Sequence, residues 1–248
     1  METPRWLERY RDGEREQVWH ELRQYGQGVR EPGVDAEAQS VCDEMARRAR
    51  HNIDVLVTRL RDQGYRFHTN DDAQEPVEPL FPPGTEAIAL VEWLETTVGE
   101  IPMVVSSWLR LVGDVWLVGT HPLWPQSAAA DPLVVELEGA RYPEASVRTY
   151  YEGELDAWKD WIADDPDAGG FVLPVAPDRL HKANVSGGGP YGFRLPDATA
   201  EGLFIGEVAM PFVAYLNWVF RHGGFPGPAS GEHQWQVRQS LAQGLLML

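Results

Sequence analysis

Apolar positions along the first quarter of this chain recur every three or four residues, and further on they break into short runs that alternate or cluster. Leu7, Tyr10, Val18, Leu22 and Tyr25 keep a helical spacing behind a Thr3-Pro4 cap and first-turn pair, with Gly13 placed to interrupt it. After a turn at Glu31-Pro32-Gly33, Asp35 is positioned to cap a longer helix. Its stripe is Val41, Met45, Ala49, Ile53, Leu56 and Leu60, and Gly64 stands where a left-handed C-terminal cap belongs. The pattern predicts an N-terminal helical hairpin over residues 1–67.

A brief alternation at 65–68 then runs into TNDDAQEPVEPLFPPG, in which Pro76, Pro79, Pro82 and Pro83 are mixed with Asp71, Asp72, Glu75 and Glu78. Prolines stiffen a chain and remove ladder donors, and acids keep it in water, so residues 68–84 read as a solvated connector. Residues 85–248 form the main domain. Its first helix should place Ile88, Val91, Leu94 and Val98 on one face and stop at Gly99, and a shorter one should run from Ile101-Pro102 through Trp108, Leu109 and Val112. Strands are expected at 115–118, 132–138, 171–175, 191–195 and 203–208, with a helix across 146–163. Pro211 opens a helix whose Phe212, Tyr215, Leu216, Val219 and Phe220 fall at i, i+3, i+4, i+7 and i+8, and a terminal helix carries Trp235, Val237, Leu241 and Leu245. Strands that follow one another or are joined by turns, more often than by crossover helices, predict an α+β fold with a mostly antiparallel sheet and helices packed on it.

Charge changes this picture more than bulk composition does. The 248 residues carry a net charge of -17, yet residues 1–66 are nearly neutral, with 12 arginines against 13 acids, so the acidity belongs to the rest. A surface of that sign repels nucleic acid and attracts basic partners within a Debye length. A lone cysteine, Cys42, allows no internal disulfide and no cysteine-cluster zinc site, which suits a reducing compartment. The charged start METPRWLERYRDGEREQ has no apolar signal core, and the most apolar stretch, 202–220, contains Glu207, Pro211 and Asn217. The expectation is a cytoplasmic protein without a membrane span.

Two segments hold candidate chemistry. The run HKANVSGGGPYG, residues 181–192, satisfies G-x-G-x-x-G through Gly187, Gly189 and Gly192. A dinucleotide loop needs a strand before the glycines and a helix after them, so that free N–H groups meet the pyrophosphate. Here a turn or short helix precedes them, a strand follows, and Pro190 removes an amide, so the glycines read as a connection into a strand. The alternative is a ligand loop in which His181, Lys182, Asn184, Gly187, Gly188, Gly189 and Tyr191 join His121 and Trp124 around a cleft. Lys182 is one of only two lysines, the other being Lys159. The second segment is YYEGELDAWKDWIADDPD. As a helix it stacks Glu152, Asp156, Asp160 and Asp164 at i, i+4, followed by Asp165, and turns Tyr151, Leu155, Trp158 and Ile162 to the core. Each like-charge step costs about 0.2–0.5 kcal/mol, partly offset by an Asp156–Lys159 contact. Gly153 is a point at which this helix could break. A face held at that cost suits a basic partner.

No H-E-x-x-H, G-x-S-x-G, C-x-x-C or G-K-[ST] occurs, and the seven histidines never pair at metal-ligand spacing. No cofactor, metal or catalytic group is therefore expected. The segment PPGTEAIALVEWLETTVGEIPMVVSSWLRLVGDVWLVG resembles the opening of the SUKH superfamily. In that opening an acidic helix ends in Gly, a dipeptide ending in Pro and a short apolar helix follow, and a Gly turn enters the first strand. Glu92 or Glu95, Gly99, Ile101-Pro102, Trp108-Leu109 and Gly113 occupy those places. The likeness covers about residues 84–225 and includes HPLWP, DPLVVELE and FVAYLNWVFRHGGFPG. It implies an α+β fold without a catalytic centre and, as in many bacterial members, an immunity protein that neutralises a toxin, often a basic nuclease. The readings carried forward are therefore an acidic, non-enzymatic protein-binding module and, as the alternative, a ligand-binding protein or enzyme built on the glycine loop.

Overall fold

The computed structural model describes residues 4–165, 167, 169–182 and 189–248, without the side chains of Leu180 and His181. The fold is α+β, with antiparallel sheets and a helical N-terminal region. Gly13, at φ +108°, separates α1 (Trp6–Arg11) from α2 (Arg15–Tyr25). A 3-10 turn (Gly26–Arg30) leads to α3 (Asp35–Asp62), whose predicted stripe of Val41, Met45, Ala49, Ile53, Leu56 and Leu60 is fully buried. Val34 rather than Asp35 occupies the N-cap of α3, and no side chain caps it. The Glu37 carboxylate instead accepts a bond from the Leu7 N–H and ties α1 to α3. Gly64 takes the expected left-handed conformation.

α3 packs along α5 (Met103–Leu111), and the N-terminal helices share one continuous hydrophobic core with the rest of the chain. Between α3 and α5 in the chain comes α4 (Ala87–Val98), which packs on α5 and turns Ala87, Leu90 and Leu94 inward. Ile88, expected on its core face, is 62% exposed. The proline-rich connector also departs from expectation. It contributes β2 (Leu80–Phe81), which pairs with β3 (Asp114–Trp116), while β1 (Arg66–Phe67) pairs with β4 (Gly119–Thr120). The close approach of β2 and β3 requires Gly113: it has φ +86°, and a Cβ there would overlap the Phe81 carbonyl oxygen.

β3 continues to β5 (Val134–Val135), and β6 (Phe171–Ala176), β7 (Tyr191–Leu195), β8 (Leu203–Ile205) and β9 (Met210–Pro211) form a four-stranded antiparallel sheet. The Glu136 N–H donates to the Val175 carbonyl at 2.8 Å and joins the two sheets beside β5 and β6. Helix α8 (Phe212–Arg221) buries all five of its predicted apolar positions. Phe212 meets Trp108 of α5 and Phe193 of β7 with ring centroids 5.4 and 4.8 Å apart, and Phe204 of β8 lies 4.4 Å from Tyr215. This aromatic cluster locks sheet to helix. Helix α9 (Glu232–Ala242) ends before Leu245, and the following tail is held to α3 by Asn52, which exchanges bonds of 2.8 and 2.7 Å with Leu246.

Candidate functional site

The site begins at Asp114, the first residue of β3. Its buried carboxylate accepts bonds from the backbone N–H groups of Leu137, Glu138 and Ala140, at 2.7, 3.0 and 2.8 Å. These bonds satisfy three donors of the loop after β5 and fix its path. That path brings Glu136 and Arg141 into a bidentate pair at 2.9 and 2.8 Å, and the guanidinium carbon lies over Trp116, 3.4 Å from the ring centroid. Ser146 then caps α6 (Val147–Asp164) by accepting from the Thr149 N–H at 3.3 Å. The helix is anchored to β6, where Trp158 lies 6.0 Å from Phe171 and donates to the Gly169 carbonyl, and the Tyr151 hydroxyl donates to Leu137.

Where the loop, the first turns of α6 and the end of β6 meet, a cleft of about 390 Å³ opens. Its walls are mainly apolar: Tyr142, Val147, Tyr150, Pro174, Ala176 and Pro190. Glu136 also lines it, and burial pushes this carboxyl up to about 7, outweighing the lowering by Arg141. The folded state thus takes up this proton at higher pH than the unfolded chain, whose ordinary value is 4.5. The contribution to stability is full below the unfolded value and is lost as pH rises through the folded one. Between about pH 5 and 7.5 the wild type should lose on the order of 2–3 kcal/mol relative to Glu136→Gln. Urea unfolding of both proteins at the two pH values measures this, and a difference that does not change with pH would contradict it.

The outer face of α6 carries the acids. Glu152, Asp156, Asp160, Asp164 and Asp165 are all exposed, and Gly153 does not break the helix. Lys159 pairs with Asp156 at 2.9 Å, and Asp165 accepts a bond from the Asp167 N–H. Glu152, Asp160 and Asp164 have no ion-pair partner among the described residues. By contrast, arginines answer many acids of the N-terminal helices, as in Arg9–Glu21, Arg48–Glu44, Arg50–Asp54 and Arg110–Asp43. Arg9, Gln17 and Trp6 hold the Glu21 carboxyl down at about 2. The expected inward residues of α6 are placed as the period requires, with Tyr151 and Leu155 buried and Trp158 and Ile162 half-buried. Two aromatics on α6 stay in water, Tyr150 at 50% and Trp161 at 57% exposure.

No known family, no curated protein and no solved structure matches this chain.

The residues proposed for the glycine-loop alternative separate into two groups. Lys182 ends α7 (Arg179–Lys182); its ammonium is fully buried, 2.8 Å from the Asp131 carboxylate and 5.0 Å from the centroid of Tyr191. Asp131 and Tyr191 help line a small cavity of about 30 Å³, room for a single water. His121 and Trp124 do not line that cavity; they are bridged to each other and packed around Tyr65 and Phe225. Both imidazole nitrogens of His121 are engaged: Nδ1 accepts from the Leu123 N–H, and Nε2 faces Gln63 Oε1, each at 3.1 Å. Burial lowers the pKa of this histidine. Asn184, Gly187 and Gly188 lie outside the described residues, as does the side chain of His181, and a Cβ on Gly189 would meet nothing within 4 Å. Gly192 is inside β7, so the glycines lead into a strand. A Cβ there would overlap the Leu173 carbonyl oxygen, which accounts for the third glycine of the motif by strand packing.

Sequence reasoning missed the cleft. Its only trace was the recurrence of proline and tyrosine at Tyr142-Pro143, Pro174, Pro177 and Pro190-Tyr191, in segments that nothing in the chain marks as neighbours. Among the described residues, no helix is long and apolar enough to cross a membrane, and no three His, Cys, Asp or Glu side chains are grouped to hold a metal ion.

Proposed function

We propose that this protein is a non-enzymatic binding module that uses the outer face of α6 to dock a basic protein. The observation that carries the reading is the exposed row of Glu152, Asp156, Asp160 and Asp164, answered among the described residues by Lys159 alone. Such a row raises the rate of encounter with a positively charged surface and rejects acidic ones, and it sets orientation more than affinity. With the resemblance of residues 84–225 to the SUKH superfamily, the reading becomes an immunity-type protein of the cytoplasm whose partner is a basic toxin, of the nuclease type.

Reversal of the row tests it. In capture from native lysate, wild-type bait should retain basic protein that Asp156→Lys, Asp160→Lys, Asp164→Lys bait loses. Association of the purified partner with the reversed protein should be slower by at least about tenfold at low salt, with a flatter dependence on ionic strength. Equal capture and equal association rates for the two baits would overturn the reading.

A further inference from the structure

The end of α8 and one side of α9 border an open groove of about 720 Å³. Arg221, His222 and Arg238 line it, and no carboxylate is among its described lining residues. In a chain of net charge -17 that sign runs against the rest of the surface. Arg238 is 3% exposed, yet it has no acid partner among the described residues, and burial by itself lowers its pKa, to about 10. The group therefore remains a cation at neutral pH. Only Nη2 is bonded, to the Gly227 and Pro228 carbonyls at 2.6 and 3.3 Å, and the buried Nε finds no acceptor. The guanidinium carbon lies 4.9 Å from the centroid of the buried Trp124 ring and 5.8 Å from that of Trp235, which is 49% exposed. A buried cation that no carboxylate answers is costly to keep. At the rim, Arg221 is exposed and its hydrogen bond among the described residues is a long one to Met247 Sδ, at 3.9 Å, so it can turn toward a ligand. The C-termini of α8 and α9 also reach the groove and bring about half a negative charge each, which two full guanidinium charges outweigh.

We propose that this groove binds a small aromatic oxyanion, a carboxylate or a phosphate ester carried on a flat ring. Arg238 and Arg221 hold the anion, since a guanidinium matches both oxyanions in geometry as well as in charge. The ring packs on Trp235, whose exposed indole lines the groove beside the arginines, and that contact adds what a bare anion lacks. Gln239 and Gln243 are exposed along the same wall and offer uncharged donors and acceptors to the rest of the ligand. Arg238 lies below the surface, where a compact ligand reaches it more readily than a macromolecular face does, and the volume is within the range of small-molecule sites. No residue of α6 takes part, so failure of this site leaves the reading of the acidic row as it stands.

The probes are phenyl phosphate, benzoate, inorganic phosphate and benzyl alcohol, each added to the isotope-labelled full chain at a constant ionic strength of about 0.15 M, which screens the overall negative charge. The signals followed are the amides of Trp235, Gln239 and Gln243, the Trp235 indole N–H and the Arg238 Nε–H. Phenyl phosphate or benzoate should saturate these shifts with a Kd of about 1 mM. It should bind at least about tenfold more tightly than benzyl alcohol, which has the ring without the charge, and than inorganic phosphate, which has the charge without the ring. The tighter of the two aryl anions identifies the oxyanion as phosphate or carboxylate. Arg221→Gln changes an exposed side chain, should keep the thermal midpoint, and should weaken the preferred probe about fivefold. Trp235→Ala should remove the advantage of the ring. Arg238→Gln should abolish saturation, and if that variant does not fold, the Arg221 and Trp235 variants decide. Shifts that do not saturate, benzyl alcohol that binds as tightly as the aryl anions, or aryl-anion binding unchanged by both Arg221→Gln and Trp235→Ala would overturn the proposal.

Discussion

Lys182→Met is expected to destabilise this protein by about 3–5 kcal/mol, a fall of about 10–15 °C in the unfolding midpoint. The Lys182 ammonium and the Asp131 carboxylate meet at 2.8 Å with almost no exposure to water. Removal of the cation leaves an anion buried without its partner, and that uncompensated charge is the large term. The pair itself can be nearly neutral in net stability, so Asp131→Asn added to Lys182→Met should recover much of the loss. Chemical denaturation of the single and double variants measures both numbers, and a single variant within about 1 kcal/mol of wild type would mean that the ammonium is not sealed from solvent. The choice of lysine in a chain that otherwise uses arginine has a physical basis. A compact ammonium with rotatable donors fits an enclosed site where a planar guanidinium has no room to fan its five donors.

Gly192→Ala should also be severe, at about 3 kcal/mol or more, because the added carbon overlaps a backbone carbonyl rather than the end of a flexible side chain. The register of β6 on β7 shifts between Pro174 and Ala176, opposite Gly192 and Tyr191, and the strands would have to part where that irregularity already lies. Gly189→Ala serves as the comparison. It changes another glycine of the same motif at a place with open space, and it should fall within about 0.5 kcal/mol of wild type. Thermal melts of the two variants decide between a structural and a ligand-holding reason for these glycines. Equal, small losses would remove the strand-packing explanation.

The elements that could be read from the chain were those whose apolar period runs long enough to outvote local ambiguity. α3 and α8 bury every predicted position. On α4 the same reasoning misplaced one position: Ile88 faces water, while Leu94 is buried, Val91 and Val98 pack against the core, and Ala87 and Leu90 join them. At the first turn of a helix the period alone does not say how far the buried stripe extends, and the packing of α4 on α5 decides it. The connector misled for a related reason. Its four prolines and four acids describe a solvated segment, and most of it is one, yet Leu80 and Phe81 pair with β3 because Gly113 lets two backbones approach. The acidic row of the site was legible, since exposure of Glu152, Asp156 and Asp160 follows from a period of 3.6 once Tyr151 and Leu155 are buried. The cleft at the start of α6 was not, because its walls come from the loop at 136–146, from the first turns of α6, from β6 and from Pro190, and no spacing links them.

Taken alone, then, the order of residues determined the fold class, the span of the longer helices and the side of α6 that carries charge. All of these depend on interactions between near neighbours, which periodicity records. Tertiary structure alone decided that Lys182 is spent on Asp131, that Gly192 exists for the Leu173 carbonyl, and that Glu136 and Arg141 pair at the edge of an apolar cleft. Each of these joins segments distant in the chain, where the deciding quantities are how closely two backbones approach and how little water is left between two charges.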